Sequence, residues 1–200
     1  MKTRTWKLFA AALALGTFAS LPALAQASPA PTAASSANVP EKRDGQHDFD
    51  FQFGKWKAHN RRLLHPLTGS SEWTEFDATI VAKPIWGGIA NMDELEANTS
   101  TGPIHGFTVR TYNPASGQWS IYWANQKNGV ISMPATVGSW DDKGVGTFYD
   151  QEDFNGRMIF VRYLWTLESK DKTHWEQAFS ADGGKTWETN WIIEAERVKE

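Results

Sequence analysis

Cysteine is absent from the 200-residue sequence, so neither a disulfide nor a lipid attached to cysteine can contribute to stability or location. Beyond the first 25 residues the sequence also lacks long apolar runs, and the run from Leu8 to Leu21 is short for a membrane span and ends at Pro22. Clustered basic residues are missing, and a formal net charge of −3 gives no electrostatic basis for binding nucleic acid or an anionic membrane. Stability must therefore come from an apolar core and from strand pairing.

Complete catalytic and metal-binding motifs are missing as well. No serine lies in a Gly-x-Ser-x-Gly context, which disfavours a hydrolase nucleophile. No two histidines stand at a metal-ligand spacing with a carboxylate at a third position; they are His47, His59, His65, His105 and His174. We therefore predict no metal, no cofactor and no catalytic residue, and the sequence leaves open whether the protein is an enzyme.

The first 25 residues have the composition of an export signal. Lys2, Arg4 and Lys7 precede the apolar run, and Ala23-Leu24-Ala25 has the small-residue pattern that signal peptidases require. We expect cleavage after Ala25 and a periplasmic or secreted protein. Residues 26–45 are rich in Ala, Pro and Ser, lack periodicity, and are predicted to form a disordered linker. The remaining residues, 46–200, then form one domain.

Gly and Asn/Asp/Ser clusters divide that domain into ten runs of strand length, a spacing typical of all-β barrels and sandwiches. The predicted strands are Trp56 to Leu64, Glu72 to Val81, Ile89 to Ala97, Ile104 to Asn113, Gln118 to Asn125, Ser132 to Trp140, Gly144 to Asp153, Arg157 to Ser169, Thr173 to Ser180, and Thr186 to Val198. Short turns favour pairing between sequence neighbours. We predict an all-β, antiparallel, up-and-down barrel of about ten strands, with a two-sheet sandwich as the alternative.

The segment from Asp48 to Trp56 is predicted to begin the first strand and to plug one end of the barrel. Its Gly54-x-Trp56 pair resembles the opening of lipocalins and related calycin barrels. The resemblance implies that Trp56 lies across the closed end beneath an arginine from a late strand, a role that Arg197 can fill.

A wider resemblance, from Phe49 to Val198, is to a bacterial family of lipocalin-like barrels whose function is unknown. It is carried by Phe51-x-x-Gly54-x-Trp56, Trp86-Gly87-Gly88, the hairpin from Tyr112 to Trp119, and the turn from Ser180 to Trp187. That turn is also similar to the Asp-box hairpin of sialidases. We assign it a structural role, in which Asp182 accepts backbone N–H bonds, Gly184 takes a left-handed conformation, and Trp187 covers the outside.

Internal polar and aromatic strand residues are the candidate ligand contacts. In the first hypothesis the barrel holds a small, partly apolar molecule between aromatic walls, with arginines fixing its polar end. The predicted ligand-binding residues are Arg110, Tyr122, Trp123, Arg162, Trp175 and Glu176. Glu94 and Glu176 are the expected counter-ions of the arginines. The same arginines on an outer strand face, paired across strands, are the alternative interpretation.

Two other functions remain open from the sequence. One is an enzyme on the same scaffold that uses Glu94, Glu176 or His105 for acid–base chemistry. The other is a carbohydrate-binding protein with an exposed tryptophan platform, since all but Trp6 of the eleven tryptophans lie beyond the leader. Resemblance to nitrobindins would make His105 or His174 a haem ligand, an interpretation we disfavour. The expected partner is a small molecule, with no nucleic acid and no membrane insertion after cleavage; the oligomeric state is open.

Overall fold

The computed structural model describes residues 43–199, which form a closed antiparallel barrel of ten strands. The strands are β1 Gly54–Leu63, β2 Trp73–Ile85, β3 Ala90–Thr99, β4 Gly102–Asn113, β5 Gln118–Asn125, β6 Thr136–Trp140, β7 Val145–Phe154, β8 Arg157–Ser169, β9 Lys172–Ser180 and β10 Glu188–Arg197. Each strand pairs with the next, and β10 pairs with β1. The predicted up-and-down barrel is confirmed, and the sandwich alternative is wrong. The predicted leader, 1–25, and linker residues 26–42 lie outside the described residues.

Every predicted strand has a counterpart, and the largest boundary differences, of four residues each, are at the end of β2 and at the start of β6. The prediction began this strand at Ser132, whereas the strand begins at Thr136. Pro134 has no backbone N–H and cannot donate to a strand ladder, which shortens the pairing. An isolated bridge between Ala124 and Ile131 precedes β6.

The closed end of the barrel is filled by the segment that precedes β1. Residues Asp50–Gln52 form one turn of 3₁₀ helix, and the first strand begins after it at Gly54, two residues before the predicted start at Trp56. This turn places the fully buried Phe49 inside the barrel. The ring centroid of Phe49 lies 5.1 to 5.8 Å from those of Trp119, Trp140, Phe148 and Trp165.

Arg197 closes the same end from outside the aromatic cluster. Its guanidinium carbon lies 4.3 Å from the ring centroid of Trp56, and it donates to the carbonyls of Phe53 (2.6 Å) and Phe51. A Cβ on Gly54, whose φ is +109°, would lie 3.2 Å from the guanidinium. Glycine at this position therefore lets Arg197 approach the backbone before Trp56.

Residues 43–45, the last three of the predicted linker, contact the barrel. The Gly45 amide donates to the hydroxyl of Tyr112 (2.9 Å), and the indole N–H of Trp119 donates to the Gly45 carbonyl (2.9 Å). Arg43 forms an ion pair with Asp48. The chain at Gly45 thereby satisfies two buried polar side chains of the closed end.

The turn after β9 has the contacts expected of a structural hairpin. Asp182 accepts hydrogen bonds from the backbone amides of Lys185 (3.0 Å) and Thr186 (2.9 Å). These hydrogen bonds to Thr186 and its neighbours hold the pKa of the Asp182 carboxyl well below its usual range. Gly184 has φ +85°, and Trp187 lies outside the barrel, where its indole N–H donates to the Gly184 carbonyl (3.1 Å).

Replacement of Phe49 by alanine should strongly destabilise the protein. The substitution leaves a cavity among four aromatic rings, and truncation of a buried phenylalanine costs about 3 to 5 kcal/mol. Urea unfolding followed by tryptophan fluorescence measures the loss. The control is Phe107→Ala on the outer face of β4, expected to cost about 1 kcal/mol or less. Equal losses in the two variants would contradict this account of the closed end.

Candidate functional site

The open end of the barrel leads into three cavities that share lining residues. One of about 530 Å³ lies at the rim beside Ile104, Trp123 and Trp191, and a second of about 320 Å³ lies beside Phe76 and Phe179. Arg62 and Ile104 line both. A third cavity of about 90 Å³ lies deeper and shares Trp123 and Trp191 with the first, and Gln177 with the second. The interior is thus reached from the rim past a constriction formed by two tryptophans and a glutamine.

Aromatic side chains form the walls of the inner cavity. The rings of Trp123 and Trp191 lie edge to face with centroids 6.3 Å apart, and Trp175 lies 5.7 Å from Trp191. Tyr163 lies 5.1 Å from Trp175. The indole N–H of Trp191 donates to Asn60 Oδ1 (3.0 Å), which fixes the orientation of that ring. The walls are therefore apolar, and one of their rings is held by a buried hydrogen bond.

The position of the Trp123 ring depends on Gly106. A Cβ at Gly106 would lie 2.1 Å from the nearest ring carbon of Trp123, closer than any van der Waals contact permits. Gly106 belongs to the inward-facing set of β4 residues, so the ring lies flat against the barrel wall across it. The glycine thereby leaves the cavity open where a larger residue would push the indole inward.

A buried ion pair forms the polar floor of the inner cavity. Arg110 lies 2.6 Å from Asp93 and donates to Asn91 Oδ1 (3.1 Å). All three residues are at most 4% exposed. The guanidinium carbon of Arg110 also lies 4.9 Å from the ring centroid of Phe49, so the floor rests on the aromatic cluster of the closed end. Pairing removes much of the cost of burying these charges.

Three residues that line the inner cavity have a buried polar atom without a partner among the described residues. Within residues 43–199, Gln52 Oε1, Arg110 Nε and Trp165 Nε1 are buried and have no hydrogen-bond partner. All three residues line the cavity of about 90 Å³. Buried polar groups in folded proteins nearly always form a hydrogen bond. Water or the polar end of a ligand in this cavity would be the nearest source of partners for these three groups.

Two carboxylates face the interior from β7. Asp150 and Glu152 alternate with the fully buried Phe148 on one strand face, and Asp150 accepts a hydrogen bond from Thr136 Oγ1 (2.7 Å). Burial raises the pKa of Glu152 to about 7, and repulsion from Asp150 adds to the rise. Burial likewise raises the pKa values of Asp150 and Tyr163. Glu152 therefore changes its charge near neutral pH inside the barrel.

The structure brings half of the predicted ligand-binding residues together. Arg110, Trp123 and Trp175 line the inner cavity. Tyr122 and Glu176 are the sequence neighbours of Trp123 and Trp175 and face outward, as does Arg162 on β8. Their predicted place in the interior is therefore wrong. The sequence pattern alone did not say which alternate set of each strand faces inward.

The outward residues have partners on the surface. The guanidinium carbon of Arg162 lies 4.8 Å from the ring centroid of Trp187. Glu176 bonds to His174 (2.9 Å), which also bonds to Glu194 (2.6 Å). Although burial disfavours the charged imidazole, the bonds to Glu176 and Glu194 raise the pKa of His174. These contacts agree with the alternative interpretation, in which surface charges pair across strands.

The counter-ion of Arg110 was misassigned by the sequence prediction. Glu94 is exposed on the outer face of β3, and its neighbour Asp93 pairs with Arg110 instead. Asp93 alternates with the buried apolar residues Leu95 and Ala97, a pattern that marks an inward-facing carboxylate. The sequence prediction also missed Gln52, Arg62, Asp150 and Glu152.

The residues proposed for other functions lie away from the inner cavity. His105 is exposed at the rim, 3.8 Å from Glu96, and His174 is on the outer face. Among residues 43–199 no group of three His, Asp or Glu side chains is arranged to hold a metal ion, and no helix there is long and apolar enough to cross a membrane. Trp86 is the exposed tryptophan of the described chain; the others are buried or half-buried, which does not form a stacking platform.

Replacement of Glu152 by glutamine should reduce the loss of folding stability that the protein suffers at alkaline pH. The folded-state pKa of Glu152, about 7, lies above the unfolded value of 4.5, so the natural protein loses stability as pH rises between them. Glutamine stays neutral at both pH values. The free energy of unfolding of Glu152→Gln should therefore exceed that of the natural protein by about 1 kcal/mol at about pH 8, a value that allows for solvent screening, and by almost nothing at about pH 4. Urea unfolding across this pH range measures the gain.

Glu94→Gln is the matched control, because it removes an exposed carboxylate from an outer strand face. We expect a nearly constant effect of this control across pH. The Asp150 carboxyl on the same strand and the Tyr163 hydroxyl on β8 remain in both variants, so a residual slope from Asp150 is expected. A gain in Glu152→Gln that is equal at both pH values would contradict the burial of an ionisable Glu152.

Comparison with known proteins identifies the fold and leaves the family open. The sequence matches no known family profile, and no curated protein sequence matches it. Among solved structures, the chain is similar to an S-type phycobiliprotein lyase from Guillardia theta, with a TM-score of 0.56 and 12% sequence identity over 84% of this chain and 99% of that one. At this identity the likeness concerns the fold alone. The chain therefore has a lipocalin-like barrel fold.

Proposed function

We propose that this protein is an exported barrel that binds a small, partly apolar molecule in its interior. The observation that carries the proposal is an aromatic cavity whose lining includes three residues with a buried polar atom that has no partner within residues 43–199. Leaving a buried polar group without a partner costs about 1 to 3 kcal/mol. A ligand with one polar end supplies the missing hydrogen bonds.

The sizes of the cavities indicate how such a ligand lies. The inner cavity of about 90 Å³ accommodates only the polar end of a molecule, or a few waters. The rim cavity of about 530 Å³ lies within the range of about 300 to 1,000 Å³ that is typical of small-molecule sites. The ligand body thus occupies the rim, and its polar end passes Trp123 and Trp191 toward Arg110.

An enzymatic function on the same site is the second candidate. Glu152 has a pKa of about 7 and faces the interior beside Asp150, and a group that titrates near neutral pH suits general acid–base catalysis. The structural neighbour is named a lyase, so an enzymatic function is compatible with this fold, although the similarity concerns the fold alone. Turnover that disappears in Glu152→Gln while ligand affinity is retained would favour this candidate.

Export and family membership complete the proposal. The basic, apolar and Ala-x-Ala segments of residues 1–25 support cleavage after Ala25 and release to the periplasm or medium. The motifs from Phe51 to Trp187 support membership of the bacterial family of lipocalin-like barrels whose function is unknown. Intact mass measurement of protein recovered from the periplasm tests the cleavage site, and a mass that includes residues 1–25 would contradict it.

Native mass spectrometry of protein purified from its own host, without added ligand, tests the binding function. We expect a discrete additional mass that is released when the protein is unfolded. An absorbance spectrum of the same sample identifies a coloured ligand. Bare protein would count against tight binding, and titration with the aromatic probe anilinonaphthalene sulfonate then shows whether the cavity accepts any apolar molecule.

The substitution Gly106→Ala should narrow the cavity and weaken binding. The new methyl group meets the Trp123 ring, which must rotate toward the barrel axis. We expect affinity for anilinonaphthalene sulfonate to fall about tenfold, equivalent to 1.4 kcal/mol. Fluorescence titration measures the affinity. Trp123→Phe removes the clash, so Gly106→Ala should have little further effect in that background. An equal loss in both backgrounds would show that the Trp123 ring is not the cause.

A further inference from the structure

Arg62 is an inward-facing cation without a counter-ion at the open end of the barrel. It lies near the end of β1 and lines both the cavity of about 530 Å³ and the cavity of about 320 Å³. Its guanidinium carbon lies 4.8 Å from the ring centroid of Trp191. Within residues 43–199 no hydrogen bond or ion pair reaches this guanidinium, whose position is set by the tryptophan face.

The neighbouring arginines show that this arrangement is particular to Arg62. Arg61, the preceding residue, faces outward, where its Nε lies 3.2 Å from Glu75 and its guanidinium carbon lies 5.2 Å from the Trp73 ring. Arg110, the other inward-facing arginine described above, is paired with Asp93 at 2.6 Å. Among the described residues, the inner cavity thus has a neutralised arginine, Arg110, at its floor, and the cavities at the rim are lined by an unpaired arginine, Arg62.

The surroundings of Arg62 favour an anion. Arg62 is exposed to solvent at the rim, yet nearby protein atoms exclude enough water to lower its pKa, so pairing with an anion would stabilise its charged form. His105 and Lys127 line the same rim cavity and add no negative charge. The inward carboxylates Asp150 and Glu152 form no ion pair with Arg62 in the described structure.

We propose that Arg62 binds the carboxylate of an amphipathic organic acid whose apolar part lies between Ile104, Trp123 and Trp191. This inference rests on the proposed binding function and specifies its ligand class. The planar guanidinium can form two parallel N–H···O bonds with a carboxylate while it stays over the ring of Trp191. The ligand therefore has its acid group at the mouth, in addition to the uncharged polar end that lies toward the inner cavity.

Binding of dansyl-labelled undecanoic acid and of its methyl ester separates charge recognition from apolar binding. The two probes share the same apolar body, and only the acid has a carboxylate. For the natural protein we expect tighter binding of the acid. In Arg62→Gln the affinity for the acid should fall about 10- to 100-fold, the range of a lost charge-assisted hydrogen bond, while the affinity for the ester should be unchanged.

Arg61→Gln is the matched control, because it removes the same charge one residue away on the opposite strand face. It should leave both affinities unchanged. Arg62→Lys provides a second variant that keeps the charge but loses the planar fork, and its affinity for the acid should lie between those of the natural protein and Arg62→Gln. Thermal unfolding of each variant confirms that the barrel is folded.

The outcomes distinguish this inference from the function on which it rests. If both probes bind the natural protein and Arg62→Gln equally well, the cavity binds apolar molecules but the role of Arg62 is overturned. Equal losses in Arg61→Gln and Arg62→Gln would indicate a general effect of surface charge and would also overturn it. If neither probe binds the natural protein, both the ligand class and binding of apolar molecules in the cavity are overturned.

Discussion

Closure of ten antiparallel strands into a ring is the constraint on which the remaining structure depends. Because β10 pairs with β1, every strand has two neighbours, and every second side chain is directed into one shared interior. That interior must be filled, capped or occupied by a ligand. The barrel fills its closed end with Phe49 and caps it with Arg197 over Trp56, whereas its open end keeps cavities between tryptophans.

The interior is layered along the barrel axis, and each layer supports the next. The aromatic cluster around Phe49 carries the Arg110–Asp93 pair, whose free polar edge faces the inner cavity. Above it, Trp123 and Trp191 separate the inner cavity from the rim, and Arg62 lies on the rim side of Trp191. A molecule entering from the rim therefore meets charge, then aromatic surface, then polar atoms, an order that suits an amphipathic ligand.

Charge inside the barrel is balanced at the floor and unbalanced nearer the mouth. Arg110 and Asp93 neutralise each other, while Glu152 has a pKa of about 7 and Arg62 lacks a counter-ion among the described residues. Paired buried charges set geometry, and unpaired ones respond to ligand and pH. The enzymatic alternative depends on Glu152 and the inferred ligand class depends on Arg62, and the sequence prediction singled out neither residue.

The sequence by itself determined the strands, their order and the barrel, since turn residues and short connections leave little choice of topology. It also identified Arg110, Trp123 and Trp175 as interior residues. Tyr122, Arg162 and Glu176 were misplaced because a one-residue change of parity reverses every side chain of a strand. Only closure decides which alternate set faces inward, and only the register across strands brings Asp93 to Arg110 or lays the Trp123 ring over Gly106. The position of the site residues therefore depends on the closed ring of strand pairs, which cannot be read from any single segment of the sequence.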